Sequence, residues 1–155
     1  MFRFYIALIL SKISYTVIRL LGRNASQFPG RLAINICPDF LGRIAKPKKI
    51  ICVTGTNGKT TTSNLIGHTL RCAGKNFINN FEGANMLDGI ISTFAIQANN
   101  NTKLAVIEID EGSIRRVMQY ITPTKFVINN FFRDQIDRFG EIDTLIATIG
   151  EQLEG

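Results

Sequence analysis

The stretch Val53-Thr54-Gly55-Thr56-Asn57-Gly58-Lys59-Thr60-Thr61 constrains this chain more than any other. It follows Ile50-Ile51-Cys52, a short apolar run that reads as a buried parallel strand. It opens onto Thr60–Arg71, where Leu65, Ile66 and Leu70 recur at helical steps. A strand that turns directly into a helix leaves the first helical amides without intrahelical partners. Gly55 and Gly58 permit backbone angles and a close approach that a Cβ would obstruct. Successive N–H groups can then line a concavity that favours an anion, a phosphate above all. Lys59 supplies a mobile positive charge for the β- and γ-phosphates, and the Thr60 hydroxyl is placed to ligate Mg²⁺. Gly55, Thr56, Asn57, Gly58, Lys59, Thr60 and Thr61 are therefore the candidate nucleotide-binding residues. The general phosphate-loop pattern asks for a further Gly at position 53, where this chain has Val53, so the match to that pattern is partial.

Strand and helix patterns alternate beyond the loop. Lys75–Asn79 reads as a weak strand, Met86–Ala98 as a helix and Lys103–Asp110 as a strong strand. A helix is expected over Glu111–Tyr120, a strand over Lys125–Phe131 and a helix over Ile142–Leu153. This alternation predicts an α/β fold with a mostly parallel sheet and helices on both faces. Ligands of such sheets bind beyond the carboxyl ends of the strands. Glu108 stands there, with Asp110 on the same side and Glu111 just beyond, so Glu108 is a candidate Mg²⁺ ligand together with Thr60. A solvated acidic strand end is the alternative, above all for Asp110 and Glu111. Asn129–Glu141 combines strand-end amides with a charge cluster, and its Arg133, Asp134, Asp137 and Arg138 suit a site rim or a helix-start ion-pair network equally.

The net charge of +6 invites a nucleic-acid reading, but its distribution does not support one. Residues 1–49 carry nine Lys/Arg against the single acid Asp39, a net of +8, and residues 50–155 carry nine against eleven, a net of −2. Basicity thus belongs to a leader. Within it, Phe2, Ile6, Ile9, Ile13, Val17 and Leu20 recur at three- and four-residue steps, with Lys12, Thr16, Arg19 and Arg23 on one polar face. Residues 1–23 read as an amphipathic helix, docked on its own protein or resting on an anionic membrane surface. The uninterrupted apolar run Phe4–Leu10 is too short to span a bilayer. Residues 24–49, punctuated by Pro29, Gly30, Pro38, Gly42 and Pro47, read as a connector with one short helix near Asp39–Ile44. Three cysteines without C-x-x-C spacing argue against a zinc site or a disulfide framework and for a cytoplasmic setting. Cys52 and Cys72 read as small core residues, and His68 as a structural residue.

TGTNGKTTT, the strand VIEIDE and NNFFRDQIDRFGE, in this order and spacing, resemble the central ATP-binding domain of the Mur ligases. With the loop Phe81–Asn85 (FEGAN), they are most similar to the MurT-like subgroup, the ligase subunits of lipid II isoglutaminyl synthases. The resemblance runs from the N-terminal helix to about Asp143. It implies an ATP- and Mg²⁺-dependent carbon–nitrogen ligase of peptidoglycan synthesis. Such an enzyme activates the D-glutamate α-carboxylate of lipid II as an acyl phosphate. It then amidates that group to D-isoglutamine with ammonia from a class I glutamine amidotransferase subunit, a GatD-like glutaminase. Asn130 matches the Asn of the family's T-N-x-x-x-D-H-x-D segment and joins the nucleotide-binding candidates. Gln135 replaces the His, as in the MurT-like subgroup, which weakens the case for a second metal. The loop Asn80–Asn85 is expected to approach substrate or metal through Glu82 and Asn85, with a structural turn as the alternative. The resemblance also implies domains beyond residue 155, with the ATP-binding domain over 50–155 incomplete at its end. A four-cysteine zinc ribbon is expected only farther downstream. A Mur-type or folylpolyglutamate-type ligase that adds an amino acid, and a truncated, inactive nucleotide-binding module, are the alternatives.

Overall fold

The computed structural model describes residues 1–80, 84–99, 101–130, 147 and 150. Three helices come first: α1 (Phe2–Leu20), α2 (Phe28–Ile36) and α3 (Phe40–Arg43). The sheet strands are β1 (Lys49–Thr54), β2 (Ile78–Asn79), β3 (Leu104–Glu108) and β4 (Lys125–Ile128). Helix α4 (Lys59–Cys72) follows β1, α5 (Leu87–Gln97) follows β2, and a short turn with α6 (Ile114–Met118) follows β3. All pairings are parallel and the spatial order is β2-β3-β1-β4. This is the alternating α/β architecture that the sequence predicts. Glu111–Tyr120 is shorter as an α-helix than its pattern suggests, because Glu111–Ser113 forms a 3₁₀ turn. The helix expected over Ile142–Leu153 lies outside the described residues apart from Ala147 and Gly150.

Strand order decides where a ligand can sit. The chain leaves β1 for the far edge strand β2, whereas it leaves β3 in the opposite sense, over β1, to reach β4. Right-handed crossovers then place α4 on one face of the sheet, and α5 and α6 on the other. The loops after β1 and β3 diverge, which opens a crevice between two strands paired in register from Lys49 with Leu104 to Val53 with Glu108. The core gathers on the face covered by α5 and α6, where Ile50, Cys52, Ile78, Ile107 and Ile109 meet Ile90, Phe94 and Ile114. Burial pushes the Cys52 thiol up to about 12, as expected for a small core residue rather than a nucleophile. Cys72, read from sequence as a core residue, is exposed near the end of α4, with its Sγ 3.6 Å from His68 Nε2.

Residues 24–49 hold more order than a connector. Pro29 and Gly30 punctuate this segment in the sequence, yet Pro29 sits in the first turn of α2, where a missing N–H costs nothing. Gly30 is the contact point of α2 with α5, and its N–H donates to Ser92 Oγ at 2.7 Å. A Cβ at Gly30 would lie 1.8 Å from the Asp88 carbonyl oxygen. Gly30→Ala is therefore expected to force the helices apart at a cost of about 3 kcal/mol, read as a fall in melting temperature of roughly 6–12 °C. A loss below about 1 kcal/mol would show that this contact is not close.

Helix α1 docks on α2 and α5, but not by the face its large apolar residues suggest. Ala7 and Ser11 are its fully buried residues. Ser11 Oγ donates to the Pro29 carbonyl at 2.8 Å, and Phe4 packs on Phe40 with ring centroids 5.1 Å apart. Phe2, Ile9, Ile13, Val17 and Leu20 remain exposed. Small side chains let the helix backbones approach closely, so the seam runs through Ala7, Ser11 and Ala33 instead. No helix among the described residues is long and apolar enough to cross a membrane.

Candidate nucleotide and metal site

The phosphate loop sits at the carboxyl end of β1, in the crevice between β1 and β3. Gly55 (φ +130°) and Gly58 (φ +79°) both adopt angles that disfavour a side chain. A Cβ at Gly55 would also lie 2.8 Å from the Asn130 carbonyl oxygen. Gly58 caps α4 and offers no side-chain acceptor, so the first-turn amides keep no capping side chain. Asn130 holds the loop twice: its carbonyl accepts from Thr56 N at 2.7 Å, and its Oδ1 accepts from Asn57 N at 3.0 Å. Asn129 adds a third tie, donating from Nδ2 to the Asn57 carbonyl at 3.2 Å and to Thr62 Oγ1 at 3.1 Å. The Thr56 and Asn57 amides are thus engaged by Asn130, which leaves the start of α4 as the anion-facing part of the loop. Thr60 and Thr61 are exposed there.

Lys59 and Glu108 give the site its charge. Lys59 Nζ donates to the Gly55 carbonyl at 2.6 Å, the Thr56 carbonyl at 3.3 Å and Glu111 Oε2 at 3.0 Å. The Lys59 and Glu111 side chains are only 12% and 6% exposed, so this ion pair is shielded from water. Glu108 is buried, and its Oε1 accepts from Thr60 Oγ1 and from Asn85 Nδ2, each at 3.1 Å. Its second oxygen, Oε2, is buried with no hydrogen-bond partner among the described residues. A carboxylate oxygen withdrawn from water and left unpaired is costly unless a cation meets it. Thr60 and Glu108 therefore fit a hard divalent ion. No cluster of three acidic, His or Cys ligands accompanies them among the described residues, so such an ion would complete its shell with water and phosphate oxygens, as Mg²⁺ commonly does.

Other candidates fall around this centre. Asn85 reaches Glu108 as just described, and its carbonyl accepts from Asp110 N at 2.9 Å. Asp110 turns to cap the 3₁₀ turn, accepting from Gly112 N at 3.2 Å. Glu82, Arg133, Asp134, Gln135, Asp137 and Arg138 lie outside the described residues. Glu111 is the ion-pair partner that the strand pattern left open between a solvated end and a site residue. Asn80 opens the loop that runs to Asn85, and its place is structural. Buried, it grips the Glu108 backbone from both sides, accepting from Glu108 N and donating to the Glu108 carbonyl, each at 2.8 Å. Beside Asn85 and Asp110 lies a cleft of about 680 Å³, bordered also by Arg31, Asn35, Asp88 and Arg116.

A phosphate loop, a carboxylate at the end of the neighbouring strand and this strand order together define a phosphate-binding α/β domain. Residues 53–153 match the Mur ligase middle domain, and the chain belongs to the Mur ligase family. It is 48% identical over 152 residues to the lipid II isoglutaminyl synthase (glutamine-hydrolyzing) subunit MurT of Staphylococcus aureus (strain COL), a match covering 97% of this chain and 35% of that protein. Over 141 residues it is 44% identical to the same subunit of Streptococcus pneumoniae (strain ATCC BAA-255 / R6), covering 90% of this chain and 31% of that one. Among solved structures, MurF from Acinetobacter baumannii superposes with a TM-score of 0.62 at 23% identity, over 80% of this chain and 28% of that one. MurF from Thermotoga maritima, in complex with ADP, gives 0.61 at 19% identity, over 80% and 29%. These two likenesses establish the shared fold. The chain spans about a third of the length of the curated relatives it matches.

Proposed function

We propose that this chain is the nucleotide-binding part of an amidating ligase that converts the D-glutamate of lipid II to D-isoglutamine. The observation that carries this reading is the 48% identity across 97% of the chain to a glutamine-hydrolysing lipid II isoglutaminyl synthase subunit. Gly55, Gly58, Lys59, Thr60 and the first turn of α4 would cradle the ATP phosphates. Thr56, Asn57 and Asn130 would hold the loop in shape, and Thr61 would flank the nucleotide. Thr60 and Glu108 would hold Mg²⁺, which neutralises charge along the triphosphate when bound. The acceptor would lie in the cleft beside Asn85 and Asp110, and Glu82 would join Asn85 in approaching substrate or metal.

The chemistry runs in two steps. An oxygen of the acceptor carboxylate attacks the γ-phosphorus, the bond to the bridging oxygen breaks and ADP departs. Ammonia then attacks the acyl carbon, loses a proton and expels inorganic phosphate. Lys59 counters the charge that builds on the transferred phosphoryl group. Ammonia would come from a class I glutaminase subunit, and both proteins would work in the cytoplasm, where the lipid II headgroup is accessible. The complete ligase, joined to its glutaminase and given glutamine, Mg·ATP and lipid II, is expected to yield amidated lipid II by mass spectrometry. Addition of an amino acid in place of amidation would overturn the reading, and so would ATP turnover that is indifferent to lipid II.

A further inference from the structure

Helix α1 carries two opposed faces, and among the described residues only one of them packs against other elements. At about 100° per residue, Phe4, Ala7, Leu8, Ser11 and Ile18 gather on the side that packs against α2 and α5. Phe2, Tyr5, Ile9, Ile13 and Leu20 gather on the opposite side and are 79%, 54%, 56%, 53% and 82% exposed. An apolar stripe five turns long, pointed away from the body, is costly to leave in water.

Charge decides what covers it. Lys12 flanks the stripe on one side and Arg3 on the other, and no acid occurs anywhere in residues 1–38. Packing two copies of α1 stripe to stripe would bring these like charges together in a poorly solvated seam. A surface of lipid headgroups with net negative charge meets both demands at once: acyl chains take the stripe and phosphates take the flanking cations. We infer that α1 lies in the plane of an anionic bilayer surface, inserted by Phe2, Tyr5, Ile9, Ile13 and Leu20 while Ala7 and Ser11 hold the rest of the protein to it. This contact does not depend on which reaction the nucleotide site performs.

The test is sedimentation of the chain with vesicles of phosphatidylcholine alone and of equal parts phosphatidylcholine and phosphatidylglycerol. Partitioning is expected to be at least tenfold stronger on the anionic vesicles and to weaken as salt is raised. The double substitution Ile9→Glu/Ile13→Glu should remove it at least tenfold with an unchanged melting temperature, because neither side chain touches the core. Arg3→Glu/Lys12→Glu, which leaves the apolar residues in place, should abolish the preference for anionic lipid. Three results would overturn the inference. One is equal or absent binding to both vesicles; another is binding that survives both double substitutions. The third is a concentration-dependent dimer that Ile9→Glu/Ile13→Glu dissociates, which would assign the stripe to a second copy.

Discussion

Lys59→Met is expected to weaken nucleotide binding sharply and to destabilise the domain at the same time. The ammonium makes three contacts at 2.6–3.3 Å, two to loop carbonyls and one to Glu111. Removing it leaves the Glu111 carboxylate, 6% exposed, without its counter-charge. Breaking a buried pair in this way costs about 3 kcal/mol or more, because the surviving charge stays desolvated. Loss of activity in the single variant would therefore be ambiguous. The double variant Lys59→Met/Glu111→Gln separates the two effects. It should recover most of the melting temperature and none of the ATP affinity, measured by calorimetry. Catalytic turnover of the complete ligase should fall about 10²–10³-fold, the scale of losing one preorganised electrostatic contact. Nucleotide affinity restored along with stability would show that Lys59 serves the fold alone.

Glu108→Gln is expected to split stability from function in the opposite direction. The side chain keeps its shape, and an oxygen at the Oε1 position can still accept from Thr60 and Asn85. What disappears is negative charge on Oε2, which has no partner among the described residues. Without metal, the variant should melt at the same temperature as the parent or slightly higher, since an uncompensated buried group has been relieved. Saturating Mg·ADP at about 100 times its Kd should stabilise the parent by about 2.7 kcal/mol. That increment should shrink to the metal-free value in Glu108→Gln, and the Mg²⁺ requirement of turnover should rise by about 10–100-fold. An undiminished Mg²⁺ increment in the variant would mean that the carboxylate does not hold the ion.

These outcomes also show how the site divides between what a linear reading reaches and what it does not. The loop Val53–Thr61 and Glu108 are legible because their chemistry depends on local spacing: a strand end, two glycines, a lysine and a hydroxyl within one turn. The partnership of Lys59 with Glu111 spans 52 residues and exists only once β1 and β3 pair. Asn129 and Asn130 read as strand-end amides, but their grip on Thr56 and Asn57 needs β4 to lie beside β1. In the leader, periodicity marks α1 but not the seam by which it docks. A hydrophobic pattern weighs large side chains, whereas close helix packing selects small ones such as Ala7 and Ser11. Helix α2 escaped for a related reason, since Pro29 and Gly30 break helices in general but here start one and fit it against α5.

The inverted seating of α1 gives this helix an unusual tolerance map. In an ordinary surface helix, exchanging isoleucine for a polar residue harms the fold and enlarging an alanine on the far side does not. Here Ile9 and Ile13 can vary in polarity without disturbing any packed neighbour, while Ala7 and Ser11, both fully buried, leave no room for an added methylene. Selection acting on the fold alone would therefore keep the small residues and let the large apolar ones drift. Persistence of the large ones would be the mark of a second pressure, one exerted from outside the protein.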